Sequence, residues 1–357
     1  MNQVSPRQLS IMIFFIPLVF KMATLPALLY EEVYATGYVV MAIITTMEFI
    51  QLALVLFVCY SGGMEGIKEK FGINAYRIIS LPMLFVFGVK IILFLHEIST
   101  YVTSYLFYNS SEIGSISLIL IVAVYLGIKG ARAVGRLFEV VVWIAPIIIV
   151  LGILYGKLDF QSIYITPIFN ESASKYVGCI GKYLIYTFDF SPLLFIKADV
   201  KKGGQIAFCA VISTVIVSGC CLLLYGVYGN ASMFVHSAFS RLASFNSAVS
   251  ETGSLDWPSG LLWITTGILN IALKFNAVDR ISRSMNFGKV GSIVYAIVIG
   301  VLLFVFLPTF DKTLAFCTSG VQYVVCGIEI GLPLALLLLY ALKNKRGVKL
   351  CLEKSNG

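Results

Sequence analysis

Residues Ile16-Pro-Leu-Val-Phe-Lys-Met-Ala-Thr-Leu-Pro26 decide how this chain is read. They lie inside an apolar run, 9–29, long enough to cross a bilayer, which takes about 20 mostly apolar residues. The run nevertheless holds two prolines around a lysine and a short Ala-Thr step. Proline removes a backbone donor and clashes with the preceding turn, so the stretch predicts an interrupted helix. Interrupted backbone at membrane depth survives only where it lines a cavity or is buried in protein. A second stretch, Tyr186-Thr-Phe-Asp-Phe-Ser-Pro192, repeats the pattern of polar residues and a proline at mid-span.

Working outward, apolar runs between polar punctuation predict ten spans: 9–29, 36–60, 78–106, 113–128, 137–155, 178–196, 205–228, 260–279, 291–308 and 321–342. The fourth is short and is expected to borrow from its flanks, whereas the third is long enough to require tilt or projection. The fold class expected is an all-α membrane protein, a single integral domain over 1–357. The interrupted runs are the first and the sixth, which correspond if the ten form two halves of five, about 9–155 and 178–342. Interrupted segments at matching places in two halves are the best sequence pointer to a transporter's substrate site.

Composition agrees with this reading. Of 357 residues 59% are hydrophobic and 12% charged, against about 25% charged in a soluble domain. A soluble enzyme or nucleic-acid-binding domain with appended anchors is excluded. The formal charge of +8 follows from topology: with the N-terminus inside, 18 Lys and Arg fall in cytoplasmic segments and 4 in outer loops, as the positive-inside rule requires. Both termini are then cytoplasmic. Four further lysines, Lys21, Lys90, Lys182 and Lys274, fall within spans. The basic tail 343–349 reads as a stop signal or as a lipid-touching segment.

The outer loops 156–177 and 229–259 are long, and the second predicts a partly ordered lid on the membrane surface. The eight cysteines read as small packing residues, with no CxxC among them. Two histidines, His96 and His236, leave no metal site or catalytic set to assemble, and no cofactor is expected. Without a Walker-type loop the chain alone does not drive transport with ATP. The first apolar run is too long, and lacks the small-residue site, for a cleavable signal peptide.

Charges at a span centre cost about 2.5–3.5 kcal/mol each on insertion scales. Here they include Lys21, Glu48, Lys90, Glu97, Asp189, Lys274 and Glu329. Lys90, Phe94, Glu97, Tyr101 and Ser104 share one helix face, Thr266, Asn270 and Lys274 another, and Thr45, Glu48 and Gln51 cluster on the second span. Such stripes turn away from lipid. They serve either as structural ion pairs or as the lining of a ligand-bearing cavity, and for the set as a whole the cavity is the better account.

Several further stretches resemble a known family. Ser5-Pro-Arg-Gln-Leu9 precedes a first span ending Thr24-Leu-Pro-Ala-Leu-Leu29. Asp159-Phe-Gln-Ser-Ile-Tyr-Ile-Thr-Pro-Ile-Phe169 follows the fifth span, Phe195-Ile-Lys-Ala-Asp-Val-Lys-Lys202 leaves the sixth, and Leu261-Leu-Trp-Ile-Thr-Thr266 opens the eighth. In these motifs, and in length, helix count and loop placement, the chain resembles the spore germination receptor B subunits, the spore permease family. That family belongs to the amino acid–polyamine–organocation transporter superfamily, with a LeuT-like fold of five-plus-five inverted repeats and broken helices 1 and 6. The resemblance implies a germinant receptor subunit that binds a small ligand, often an amino acid, in a mid-membrane pocket. It implies larger A and lipoprotein C subunits as partners, in a cell membrane or spore inner membrane.

Superfamily relatives are proton- or sodium-coupled amino acid carriers, so a secondary transporter is the alternative, with Glu97, Asp189 or Glu48 as proton carriers. A scaffold subunit with a degenerate pocket is a third reading. Carried over, the substrate site is Met22, Ala23, Thr24 and Leu25 in the first span, Thr187, Asp189 and Ser191 in the sixth, and Thr266 and Asn270 in the eighth, to which the mid-span charges Lys21 and Glu97 are added. The glycines usual at the family's breaks are missing. Lys21 and Asp189 therefore either bind the two charges of a zwitterion, or neutralise each other in a closed site. Alternatively, Lys21 stands in the place of a coupling sodium.

Overall fold

The structure is a computed structural model and describes residues 3–107, 110–165, 171–198, 200, 203–235 and 256–355, with backbone alone at 105, 155–156, 158, 256 and 344–355. Among the described residues the fold is all helical; the one β feature is an isolated bridge pairing Val4 with Ala198. Thirteen α-helices are described: α1 (Pro6–Lys21), α2 (Leu25–Val33), α3 (Gly37–Tyr60), α4 (Gly63–Phe71), α5 (Ile73–Tyr101), α6 (Glu112–Lys129), α7 (Ala131–Leu158), α8 (Ala173–Lys182), α9 (Gly203–Tyr228), α10 (Asp256–Ser284), α11 (Gly288–Val301), α12 (Phe310–Cys317) and α13 (Gly320–Ser355).

Eight helical stretches are long and apolar enough to cross a membrane: Leu25–Tyr60, Ile73–Ser104, Glu112–Lys129, Ala131–Leu154, Gly203–Phe234, Trp257–Ser284, Gly288–Phe306 and Gly320–Lys343. Two of the ten expected spans are not single helices. The first splits into α1 and α2. The sixth, 178–196, departs further from expectation: α8 ends at Lys182, and 3-10 turns follow at Leu184–Tyr186 and Ser191–Phe195 around non-helical backbone. Other boundaries shift too. The long third span extends toward residue 73, the fifth starts at Ala131, and α4 and α12 are short helices where loops were expected.

The helix starts follow local chemistry. Ser5 caps α1: its hydroxyl accepts from the Gln8 N–H and the Gln8 side chain accepts from the Ser5 N–H, both at 3.2 Å. Pro6 fills the first turn, where a missing N–H costs nothing. Pro17 lies inside α1 without ending it, and the break comes five residues later.

The distribution of side chains suits lipid. Large apolar residues such as Leu118, Ile121, Ile147 and Ile297 face outward, while Lys21, Lys90, Glu48, Asp189, Lys274 and Glu329 are at most 1% exposed. Of the eight long stretches that of α10 is the most buried, with 78% of its apolar window inside. It comes close to α6 at Gly127, where an added Cβ would lie 2.6 Å from Phe275 Cβ and 3.0 Å from the Ala272 carbonyl. Small residues are what permit such an approach in membranes. Much of the loop 229–259 (236–255), residues 166–169 of the Asp159–Phe169 motif, and Asp199, Lys201, Lys202, His236 and Arg241 lie outside the described residues.

Candidate functional site

Two breaks in the chain meet in the interior. At the first, α1 stops at Lys21, Met22 takes a non-helical conformation, and α2 restarts with Thr24 as its N-cap and a proline in its first turn. At the second, Thr187 is extended and Phe188 sits at φ 66°, in the left-handed region that disfavours a side chain. Rings link the two, with Phe20 and Tyr186 centroids 5.2 Å apart.

Polar backbone exposed by a break needs partners in a low-dielectric interior, and neighbouring helices supply them. Gln51 of α3 does so twice, donating to the Phe188 carbonyl at 2.7 Å and accepting from the Phe190 N–H at 3.0 Å. Lys90 of α5 donates to the Thr187 carbonyl at 2.6 Å. Weaker thiol donors cover two more carbonyls, Cys326 that of Leu184 at 3.3 Å and Cys59 that of Leu193 at 3.5 Å. At the end of α1, the Trp263 indole N–H donates to the Val19 carbonyl at 3.0 Å, and the Asn270 amide to that of Ile16 at 3.4 Å.

The same side chains form a buried charge network. Lys90 lies 3.2 Å from Asp189 and 2.9 Å from Glu329, and Lys274 lies 3.7 Å from Asp189. Lys21 lies 2.5 Å from Glu48. The expected alternative of a direct Lys21–Asp189 neutralisation is thus corrected: each has another counter-ion, because α3 brings Glu48 against the end of α1 and α5 brings Lys90 against the second break. Lys21 also sits in the last turn of α1, where the helix dipole favours a cation. The Lys90 and Lys274 ammonium groups also stand near the Phe20 ring, its centroid 6.0 Å from Lys90 Nζ and 5.9 Å from Lys274 Nζ.

Glu97 is different. Among the described residues no lysine or arginine pairs with it; the Tyr186 hydroxyl donates to it at 2.8 Å, and the Thr24 hydroxyl and backbone N–H face the same carboxylate. This buried carboxyl therefore touches both breaks at once.

The structure places the expected site residues as follows. Lys21, Met22, Ala23, Thr24, Leu25, Glu97, Thr187, Asp189, Ser191, Thr266 and Asn270 are all at most 5% exposed. Ser191 donates to Glu329 at 2.8 Å, and Asn270 accepts from Lys274 at 2.5 Å. Thr266 turns its hydroxyl back onto the Leu262 and Trp263 carbonyls of its own helix, and Thr187 likewise onto Leu184. Met22, Ala23 and Leu25 belong to the apolar core. Lys182, counted within a span, is half exposed and pairs with Glu32. Gln51, Lys90, Glu48, Lys274, Glu329 and Tyr186 complete the cluster but were outside the expected site. A charge or amide at mid-span was the signal for all of them except Tyr186, which only its contact reveals.

A scan against protein-family models finds no match for this chain, and a search of curated proteins finds no similar one.

Proposed function

We propose that the chain is a permease-like membrane protein that binds a small charged solute, such as an amino acid, between its two interrupted segments. We further propose that it acts as the ligand-sensing B-type subunit of a spore germination receptor, together with A and C subunits. The observation that carries the binding reading is the meeting of both breaks within one buried network of lysines and carboxylates. The germination reading rests on the resemblance of the sequence motifs. A LeuT-like arrangement of ten spans is part of the same proposal: α3 and the seven other long apolar stretches, the interrupted pair α1–α2 and the interrupted segment 178–196 make ten, with both termini cytoplasmic.

The chemistry of the site restricts the ligand. Separating a buried ion pair without replacing the lost partner costs about 3–5 kcal/mol. A neutral sugar offers no such replacement, whereas a zwitterion brings an ammonium for the carboxylates and a carboxylate for the lysines.

The test is thermal stabilisation of the detergent-purified protein against amino acids, nucleosides and sugars. A ligand at 100 times its Kd adds about 2.7 kcal/mol. A selective amino acid shift, lost in Lys21→Met and Asp189→Asn, is the expected result. A well-folded sample that responds to no compound overturns ligand binding by this chain alone.

Glu97 favours a second reading, proton- or cation-coupled transport, since it is the carboxyl of the cluster without an ammonium and it bridges both breaks. In proteoliposomes, proton-driven uptake that falls away in Glu97→Gln while ligand binding persists would select the transporter; binding without flux in the native chain selects the receptor.

A further inference from the structure

Away from the charge network, on the face opposite the N-terminus, a cavity of about 250 Å³ opens beside the far end of α2. Its walls include Tyr30, Tyr34, Tyr164, Glu171 and Asn230. A cavity of about 150 Å³ is enough to bind benzene, so the space suits a small organic molecule.

The walls have the chemistry of a cation site. Tyr30 and Tyr34 stand nearly perpendicular, centroids 6.3 Å apart at 85°, and form an aromatic corner. Tyr30 is held by its hydroxyl, which donates to Asn230 at 3.0 Å. The Tyr164 ring lies on Gly229, where a Cβ would come within 3.1 Å of it; Gly229 is also at φ 51°, so both space and backbone call for glycine. Glu171 supplies a carboxylate.

Two further observations point to an ammonium. Tyr34 is held at φ 50°, a strained conformation for a tyrosine and one that tends to persist where function requires it. It is 56% exposed, so burial of its ring does not account for the strain. In addition, an ammonium already occupies the rim: Lys175 Nζ lies 5.3 Å from the Tyr34 ring centroid and 2.8 Å from Glu171. Aromatic faces attract cations within about 6 Å, and the carboxylate completes the pair.

We propose that the Tyr30–Tyr34–Tyr164–Glu171 cavity is a second ligand site, specific for a small organic ammonium, and that Lys175 is its tethered occupant, which an incoming ligand displaces. The site stands independently of ligand binding at the central network. It lies at the end of α2, the helix that restarts after the first break. The ammonium comes either from a free amine or from a lipid headgroup such as ethanolamine.

Calorimetric titration of the full-length detergent-purified protein with tetramethylammonium chloride, using sodium chloride as control, tests the proposal. Saturable binding is expected. Lys175→Met, which removes the tethered competitor, is expected to bind several-fold more tightly. Glu171→Gln and Tyr34→Leu are expected to bind about two- to fivefold more weakly, the scale of an exposed cation–aromatic contact. Lys175 and Glu171 are surface groups, so those two variants remain informative if Tyr34→Leu folds poorly. Repeating the titration in nanodiscs separates the sources. A probe site lost with phosphatidylethanolamine but kept with phosphatidylglycerol assigns a headgroup, and a site kept in both assigns a free amine. Equal affinity in the native protein and Lys175→Met, or no binding in either, overturns the proposal.

Discussion

The two breaks solve one problem at different cost. Between α1 and α2 the chain leaves the helix for three residues, Met22–Thr24, and a proline in the first turn of α2 lacks only a donor that a helix start leaves unused anyway. Between Lys182 and Ile196 no α-helix re-forms, Phe188 turns left-handed, and side chains of other helices hold the exposed peptide groups. The first break borrows less: Trp263 and Asn270 cover two carbonyls of α1 and Glu97 faces Thr24. The second is held from outside. A local solution needs few partners, whereas a borrowed one concentrates stability in the lenders.

That contrast can be broken experimentally, and the largest effect is expected at Lys90. Lys90→Met strands Glu329, leaves Asp189 with Lys274 alone at 3.7 Å and uncovers the Thr187 carbonyl. Losing one partner of a buried pair costs about 3–5 kcal/mol and an unsatisfied carbonyl about 1–3 kcal/mol more. Denaturant unfolding of the purified protein should show a loss of roughly that sum; an unchanged midpoint would mean the second break is stable without its lender.

Gln51→Leu comes next. It leaves the Phe188 carbonyl and the Phe190 N–H without partners, at about 1–3 kcal/mol each. Protease cutting or amide exchange confined to 183–196 would localise the loss. The smallest effect is expected at the first break: Trp263→Phe keeps an aromatic ring but removes the N–H that reaches the Val19 carbonyl, one uncovered group at about 1–3 kcal/mol against the two of Gln51→Leu. If that variant proves as damaging as Gln51→Leu, the two breaks depend on outside support equally and the contrast fails.

The same difference explains what the sequence makes visible. Helical spacing fixes which residues share a face, and so Lys90, Phe94, Glu97 and Tyr101 are found buried together, as are Thr266, Asn270 and Lys274. Ser104, expected on the first of these faces, is exposed, because Val102–Leu106 winds as a π-helix and breaks the spacing. Prolines flanking Lys21 announce the first break. Spacing within one helix says nothing about which neighbour it meets, so the pairing of Lys21 with Glu48 rather than Asp189 was not legible. The extent of the second break was hidden as well, because 178–196 is apolar enough to read as a span and no glycine marks the left-handed turn at Phe188. Lys182 was counted within a span for the same reason, since its surroundings resemble a helix that in fact ends there.

The hydrogen bonds from Gln51 also impose an order of assembly. Gln51 and Phe188 are 137 residues apart in the chain. At synthesis rates of about 5–20 residues per second, the amide is made roughly 7 to 27 s before the peptide it serves. The earlier helix is thus a template already in place when the later segment arrives, and the later segment has no native conformation to adopt until it docks. A permuted gene that makes residues 173–355 first would have to insert that segment bare, with its exposed peptide groups unserved until the first half of the chain is made.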